Sequence, residues 1–303
     1  MDQIIDIATD GRHLSRERGF LKVEEDGTEV GHVPLDQIAA VIVHAHGITW
    51  TNSLLVELAD RGAMLVLCAA NHQPRALLWP LEGHHAQGAR MRAQWTTKTP
   101  MLKQAWKQVV TSKVKMQAAA LAAFGHSPAR LEQLTRQIKS GDSSNIEAQA
   151  ARHYWPLIMG ADFRRNPDTP DINALLNYGY TVLRAATSRA IVAAGLHPTI
   201  GLHHSNRGNA FALADDLMEP FRPLVDATAY NIARQNGPEV TPDAKQALAR
   251  LIALDLPLAG VTSPLSTALS RLATSLALSF ENRRLDMALP LPPDPLILAG
   301  LGK

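Results

Sequence analysis

Apolar residues recur along this chain with two different periods, and the change of period divides it. Over residues 1–75, short runs rich in β-branched side chains, IIDIAT, GFLKVEE, TEVGHVP and AAVIVHAH, read as strands. Asp26-Gly27 lies between two of them and signals a tight hairpin. TNSLLVELADRG then shows helical spacing, with Thr51 or Asn52 as cap and Gly62 as stop, and MLVLCA returns as a strand. From about residue 90 the period is helical, and LKQAWKQVVTSKVKMQAAALAAF forms one long helix with Gly125 beyond its end. Three further helices are expected to open on a hydroxyl residue followed by proline: Thr169-Pro170, Thr241-Pro242 and Ser263-Pro264. The segment from Pro170 to Gly195 is long and apolar and reads as the central core helix. The tail LPLPPDPLILAGLGK carries too much proline for one helix and reads as a flexible arm or a partner-docking segment. The expected fold is α+β: a small β-rich N-terminal domain over 1–75, a linker over 76–90, and a larger all-helical domain over 91–303.

Composition adds limits. With 303 residues, 46% hydrophobic and 19% charged, the chain has ample material for a globular core. Its single cysteine, Cys68, excludes an intrachain disulfide framework and a cysteine-based zinc site. It lies in an apolar run and reads as a buried strand residue. The acidic start MDQIIDIATD does not resemble a signal peptide, and no apolar run reaches the ~18 residues of a membrane span. A cytoplasmic protein without a membrane partner is the expectation.

The net charge of +2 conceals an asymmetry: residues 1–75 sum to −5 and residues 76–303 to +7. No acid occurs between Glu82 and Glu132, an interval holding Arg90, Arg92, Lys98, Lys103, Lys107, Lys113, Lys115 and Arg130. A field of one sign over that length favours a polyanion such as nucleic acid, against the simpler reading of a solvated face paired elsewhere.

Candidate chemistry concentrates in HSNRGNAFALADDLMEPFR, from His204 to Arg222. An imidazole precedes a helix on which Asp216 and Glu219, at i and i+3, share a face. Adjacent acids repel unless a cation or proton lies between them. The apolar neighbours Phe211, Leu213, Leu217 and Phe221 embed this helix, so its acids need partners; Arg207 and Arg222 are the structural alternative to a metal. Glu147 lies upstream in another helix, IEAQAARHYW. One histidine with several oxygen ligands suits Mg²⁺ or Mn²⁺ and points to phosphodiester chemistry.

The whole chain resembles the CRISPR-associated integrase family, Cas1. The resemblance rests on the β-rich start, the lone Glu147, LNYGYTVLRAATSRAIVAAGLHPTIGLHH and LADDLMEPFRPLVD, and the wording is nearest to type II forms. It implies a catalytic metal site on Glu147, His204 and Glu219, with Asp216 as a fourth candidate. Many members carry Asp where this chain has Glu219, which leaves open whether Asp216 or Glu219 binds the ion directly. His203 is expected to pack in the loop, since adjacent side chains seldom enter one site. Asp215, about 100° around the helix from Asp216, is expected to point elsewhere. Asp226 is read as a support of the site or a helix cap, and Tyr154 and Trp155 as core.

The family resemblance implies joining of 3′-hydroxyl ends of short double-stranded DNA into a repeat array by transesterification, with associated endonuclease activity. It further implies homodimers bridged by the small partner Cas2 in a heterohexamer. Candidate DNA contacts are Arg90, Arg92, Lys103, Lys107, Arg152, Asn206, Arg207 and Arg222. Two other readings compete: a structure-specific, metal-dependent nuclease with no joining step, and a DNA-binding scaffold whose acids serve structure.

Overall fold

A computed structural model describes residues 3–69, 74–204, 206, 208–258 and 260–302. The N-terminal part carries strands β1 (Gln3–Ile7), β2 (Arg12–Glu17), β3 (Phe20–Glu25), β4 (Thr28–Pro34), β5 (Ile38–Val43), β6 (Thr49–Trp50), β7 (Met64–Cys68) and β8 (Pro74–Leu78), with helix α1 (Asn52–Asp60). Helices α2 (Gln87–Thr96), α3 (Thr99–Ala123), α4 (Ala129–Thr135), α5 (Ile146–Met159), α6 (Ile172–Ala193), α7 (Ala212–Met218), α8 (Arg222–Asn236) and α9 (Pro242–Ala249) follow. Strands β9 (Asp255–Leu258) and β10 (Val261–Pro264), then helices α10 (Leu265–Asn282) and α11 (Pro295–Gly300), complete the order. The α+β architecture matches the expectation, with one correction: the C-terminal part is mostly rather than wholly helical, because β9 and β10 form an antiparallel pair.

Two four-stranded sheets make up the N-terminal part, in the orders β1-β5-β7-β8 and β4-β3-β2-β6. The Asp26-Gly27 turn joins β3 to β4 with both residues at positive φ, as the hairpin signal requires. A second such turn, Arg18-Gly19, joins β2 to β3. Every residue of β5 is buried, because each of its faces meets a different core. Val41 and Val43 belong to a small core with Leu14, Leu21, Leu54 and Leu58. Ala40 and Ile42 join the main core with α6. Lys245 of α9 reaches back to Asp6 of β1 at 2.8 Å, a further tie between the two parts.

Helices α3 and α6 form the centre. Gly179 of α6 allows close approach of α8, since a Cβ there would lie 2.5 Å from Val225 Cγ1. The three hydroxyl–proline signals fare differently. Thr241 does cap α9, accepting the Ala244 N–H. At α6 the cap moves to Asp171, whose carboxylate takes the Asn173 N–H at 2.8 Å. Ser263 and Pro264 belong to β10, so no hydroxyl caps α10.

The segment 76–90 is structured at both ends, by β8 and by the first turn of α2. The tail is no flexible arm: Leu298 and Leu301 are buried, and Asn231 of α8 donates to the Leu301 carbonyl at 2.7 Å. Ser112 of α3 holds the Pro290 carbonyl at 3.2 Å. Among the described residues, no helix is long and apolar enough to cross a membrane.

Candidate metal centre

Four segments converge on the site. Glu147 lies in the first turn of α5, and Asp142 fixes that turn: its Oδ1 accepts the Ile146 N–H at 2.8 Å and its Oδ2 the Glu147 N–H at 2.9 Å. The buried Asp142 therefore supplies the negative charge that a helix N-terminus favours and aims Glu147 at α3.

Glu219 opens a short 3-10 turn, Glu219–Phe221, between α7 and α8. Its carboxylate is buried between Lys113 of α3, 2.5 Å from Oε2, and Arg222, whose Nε lies 3.1 Å from Oε1. The same Lys113 ammonium lies 2.6 Å from Glu147 Oε1. One cation thus draws together acids more than 70 residues apart in sequence. Burial alone would raise the Glu219 pKa, but Arg222 and Lys113 outweigh it and hold the carboxyl below its usual range. Burial likewise works to lower Lys113, and Glu219 and Glu147 outweigh it, so the ammonium stays charged. The buried Glu219 Oε2 thus takes the Lys113 ammonium as its partner.

Asp216, also buried, turns to the other side. Its Oδ2 takes the N–H groups of Leu202 at 2.6 Å and His203 at 3.0 Å, and its Oδ1 lies 2.5 Å from His204 Nδ1. The Asp216 hydrogen bond outweighs burial and raises the His204 pKa above its usual value. With Nδ1 engaged and 41% of the side chain exposed, Nε2 is the ring nitrogen left for a ligand. Gly201 makes this fold-back possible: a Cβ there would lie 2.6 Å from the His204 carbonyl oxygen and 2.9 Å from Asp216 Oδ2. The base of the loop is clamped by Gln94 of α2, which donates to the carbonyls of His197 at 3.0 Å and Ile200 at 2.9 Å.

His203 packs rather than ligates, stacked on Trp106 with ring centroids 4.5 Å apart. Asp215 does point elsewhere, to Arg184 at 2.7 Å and Asn209 at 2.9 Å. Asp226 accepts the Tyr180 hydroxyl at 2.5 Å, and burial raises its pKa to about 7. Tyr154 is fully buried, and the partly buried Trp155 packs against Phe163.

The candidate DNA contacts divide. Arg92, Lys103 and Arg152 are exposed and Lys107 is half-buried. Arg90 is corrected: it is buried, pairs with Glu281 at 3.2 Å and donates to the Ala194 carbonyl at 3.0 Å, so it braces α2 and is not open to phosphate. Arg222 is committed to Glu219 and lies 4.9 Å over the Tyr180 ring. Asn206 forms the loop turn, accepting the Gly208 N–H at 3.0 Å. Arg207 lies outside the described residues.

Lys113 and Asp142 are the site residues that sequence reasoning missed. For Lys113 a signal existed: Trp106, Val109, Val110, Met116 and Ala120 form the buried stripe of α3, and Lys113 occupies that stripe's register.

Two carboxylates and an imidazole are the donor types of a site for a hard divalent ion. Glu147 and Glu219 already converge on one buried positive charge, so the residues fit such an ion. Among the described residues, no three His, Cys, Asp or Glu side chains already converge at ligand spacing. Lys113 stands between the two acids instead.

The fold and site together define an α+β protein with an acid–histidine centre framed by a long helix, a helix N-terminus and a glycine-hinged loop. The chain belongs to the CRISPR-associated protein Cas1 family, whose model matches residues 5–243. It is 37% identical over 246 residues to the CRISPR-associated endonuclease Cas1 of Neisseria meningitidis serogroup C, covering 80% of each chain. It is 28% identical over 291 residues to a CRISPR-associated endonuclease Cas1 of Pyrobaculum aerophilum, covering 89% of this chain and 97% of the relative. The fold is similar to a casposase bound to integration product, with a TM-score of 0.78 at 18% identity over 95% of this chain and 93% of that one. It is also similar to a Cas1 protein from Thermotoga maritima, with a TM-score of 0.74 at 16% identity over 92% of this chain and 97% of that one.

Proposed function

We propose that this protein is a metal-dependent DNA integrase of CRISPR adaptation that joins 3′-hydroxyl ends of short duplex DNA to a repeat array by transesterification. The observation that carries this reading is the meeting of Glu147 and Glu219 on one buried positive charge. Family membership supports it, as do the endonuclease names of the relatives and the integration product named for the casposase.

In this reading Glu147, Glu219 and His204 Nε2 hold the ion, Mg²⁺ or Mn²⁺, which when bound supplies Lewis acidity at a phosphoryl oxygen. Asp216 does not bind it: its oxygens are spent on the loop N–H groups and on His204 Nδ1, so it orients the imidazole, as carboxylates behind histidine ligands do. The attacking group is the DNA 3′-hydroxyl. The one cysteine is unsuited to replace it, because burial pushes the Cys68 thiol up to about 12. Arg92, Lys103, Lys107 and Arg152 supply phosphate contacts, and affinity falls steeply with salt. The partners are double-stranded DNA, a second copy of the chain, and Cas2 in a heterohexamer; a similar fold occurs within a Cas6-RT-Cas1–Cas2 complex.

A purely structural role for the acids has one observation behind it, since Lys113 neutralises both without any metal. Strand transfer separates the readings. A labelled duplex with free 3′-hydroxyls is incubated with a supercoiled repeat plasmid, the partner subunit and Mn²⁺, using wild type and His204→Ala. Joined product from wild type alone, abolished by chelation, is expected. DNA binding without joining or cleavage by either protein overturns the enzyme reading, and cleavage without joining leaves a nuclease.

A further inference from the structure

Lys113 is the group in the site for which the proposed chemistry has no role. It lies on the buried stripe of the longest helix, with 12% of its side chain exposed, where the register calls for an apolar residue. Burying an ammonium is costly unless it is paired. Here it is paired twice, at 2.6 Å to Glu147 Oε1 and at 2.5 Å to Glu219 Oε2.

A divalent ion held by those two oxygens would lie about 2.1 Å from each. That is the gap the ammonium occupies, and two cations cannot share it. Moving the nitrogen requires only rotations of an unbranched four-carbon stem. The Asp142 cap fixes the Glu147 backbone, and Arg222 holds the Glu219 carboxylate. Both contacts are charge-assisted, so a cation held by the same two oxygens can take the place of the ammonium.

Resting on the metal reading above, we infer that Lys113 is an internal counter-ion that exchanges with the divalent metal, holding the acid pair assembled until the ion displaces it. Three consequences follow. Without metal the site keeps its shape and Glu147 and Glu219 do not repel each other apart. In the absence of DNA the ion binds weakly, because it must evict a paired ammonium. When a phosphodiester arrives, the displaced ammonium gains a new anionic partner beside the site, so metal and DNA bind with positive coupling. Lys113 is thus a positioning residue that couples metal loading to substrate.

The test is Mn²⁺ titration of the intact DNA-free protein by calorimetry, with thermal melting of the same samples, for wild type, Lys113→Met and Lys113→Arg. Lys113→Met is expected to bind Mn²⁺ at least tenfold more tightly than wild type. It should melt lower without metal and show a larger rise in Tm with it. Lys113→Arg, which keeps the charge, should bind no more tightly than wild type. A short duplex should tighten Mn²⁺ binding in wild type and have less effect in Lys113→Met. Should Lys113→Met fail to fold, wild type supplies a second readout: amine labelling followed by mass spectrometry should show Lys113 protected without Mn²⁺ and labelled with it. Mn²⁺ affinity in Lys113→Met equal to or weaker than wild type overturns the exchange, as does Lys113 labelling indifferent to Mn²⁺. Failure of every variant, wild type included, to bind Mn²⁺ overturns the exchange together with the metal reading.

Discussion

Asp216 reads the backbone of its own loop and the ring of His204 at once: one oxygen accepts N–H groups from Leu202 and His203, and the other lies 2.5 Å from His204 Nδ1. Replacing Asp216 by Ala strands buried donors, each worth about 1–3 kcal/mol. A stability loss on the order of 3 kcal/mol is expected in urea unfolding. The His204 pKa should fall toward its ordinary value when followed by NMR. The sign of the linkage follows from the raised native pKa. His204 contributes stability in full below its unfolded value of about 6.5 and loses it as pH rises through the native value. Asp216→Ala should flatten that part of the pH profile.

Gly201 tests the same fold-back from the other side. A methyl group at this position meets the His204 carbonyl oxygen at 2.6 Å and Asp216 Oδ2 at 2.9 Å, so the loop must shift. Gly201→Ala should cost about 1–3 kcal/mol. It should also lower the His204 pKa by loosening the Asp216 contact, which NMR titration would detect.

Asp226 has a linkage of the same sign in a lower pH window, caused by burial. Burial raises its native pKa to about 7 from 3.8. Between those values the native state holds a proton that the unfolded chain has lost, so stability falls as pH rises from 4 to 7 and levels off above. Asp226→Asn should remove this slope and be the more stable protein at pH 8, by on the order of a few kcal/mol. Unfolding midpoints measured from pH 4 to 8 check it; parallel profiles for both proteins would contradict it.

Arg90 and Lys103 should separate by kind of effect. Arg90→Ala breaks buried contacts to Glu281 and Ala194 and should lower stability by about 2–3 kcal/mol while leaving the salt slope of DNA binding unchanged. Lys103→Ala, at an exposed position, should leave stability within about 0.5 kcal/mol and reduce the salt slope by about 1. Melting and DNA titrations at several salt concentrations distinguish them.

Local signals carried much of this architecture. Asp26-Gly27 needs two positive φ angles and obtains them, and the apolar period of α6 survives as a nearly continuous buried face. Strand β2, RHLSRE, was illegible because its sequence is polar and only Leu14 is buried; its pairing is marked by the Arg18-Gly19 turn instead. The acids of the site were legible because carboxylates on an embedded helix demand partners. Their separate orientations were not: Asp216 and Glu219 share a helical face in sequence, yet one turns to the His204 loop and the other to α3. Arg90 was misread and Lys113 missed for one reason. A run of a single sign suggests cations open to a polyanion, whereas their acid partners, Glu281, Glu147 and Glu219, come from distant segments.

In the proposed reading Glu147, Glu219 and His204 frame one cation site, which anomalous diffraction from crystals grown with Mn²⁺ can locate. One strong peak is expected, bounded by a carboxylate oxygen of Glu147, one of Glu219 and His204 Nε2, with Asp216 still on Nδ1 and Lys113 displaced. A peak coordinated by Asp216 in place of Glu219, a peak elsewhere in the molecule, or none at saturating Mn²⁺ overturns that site.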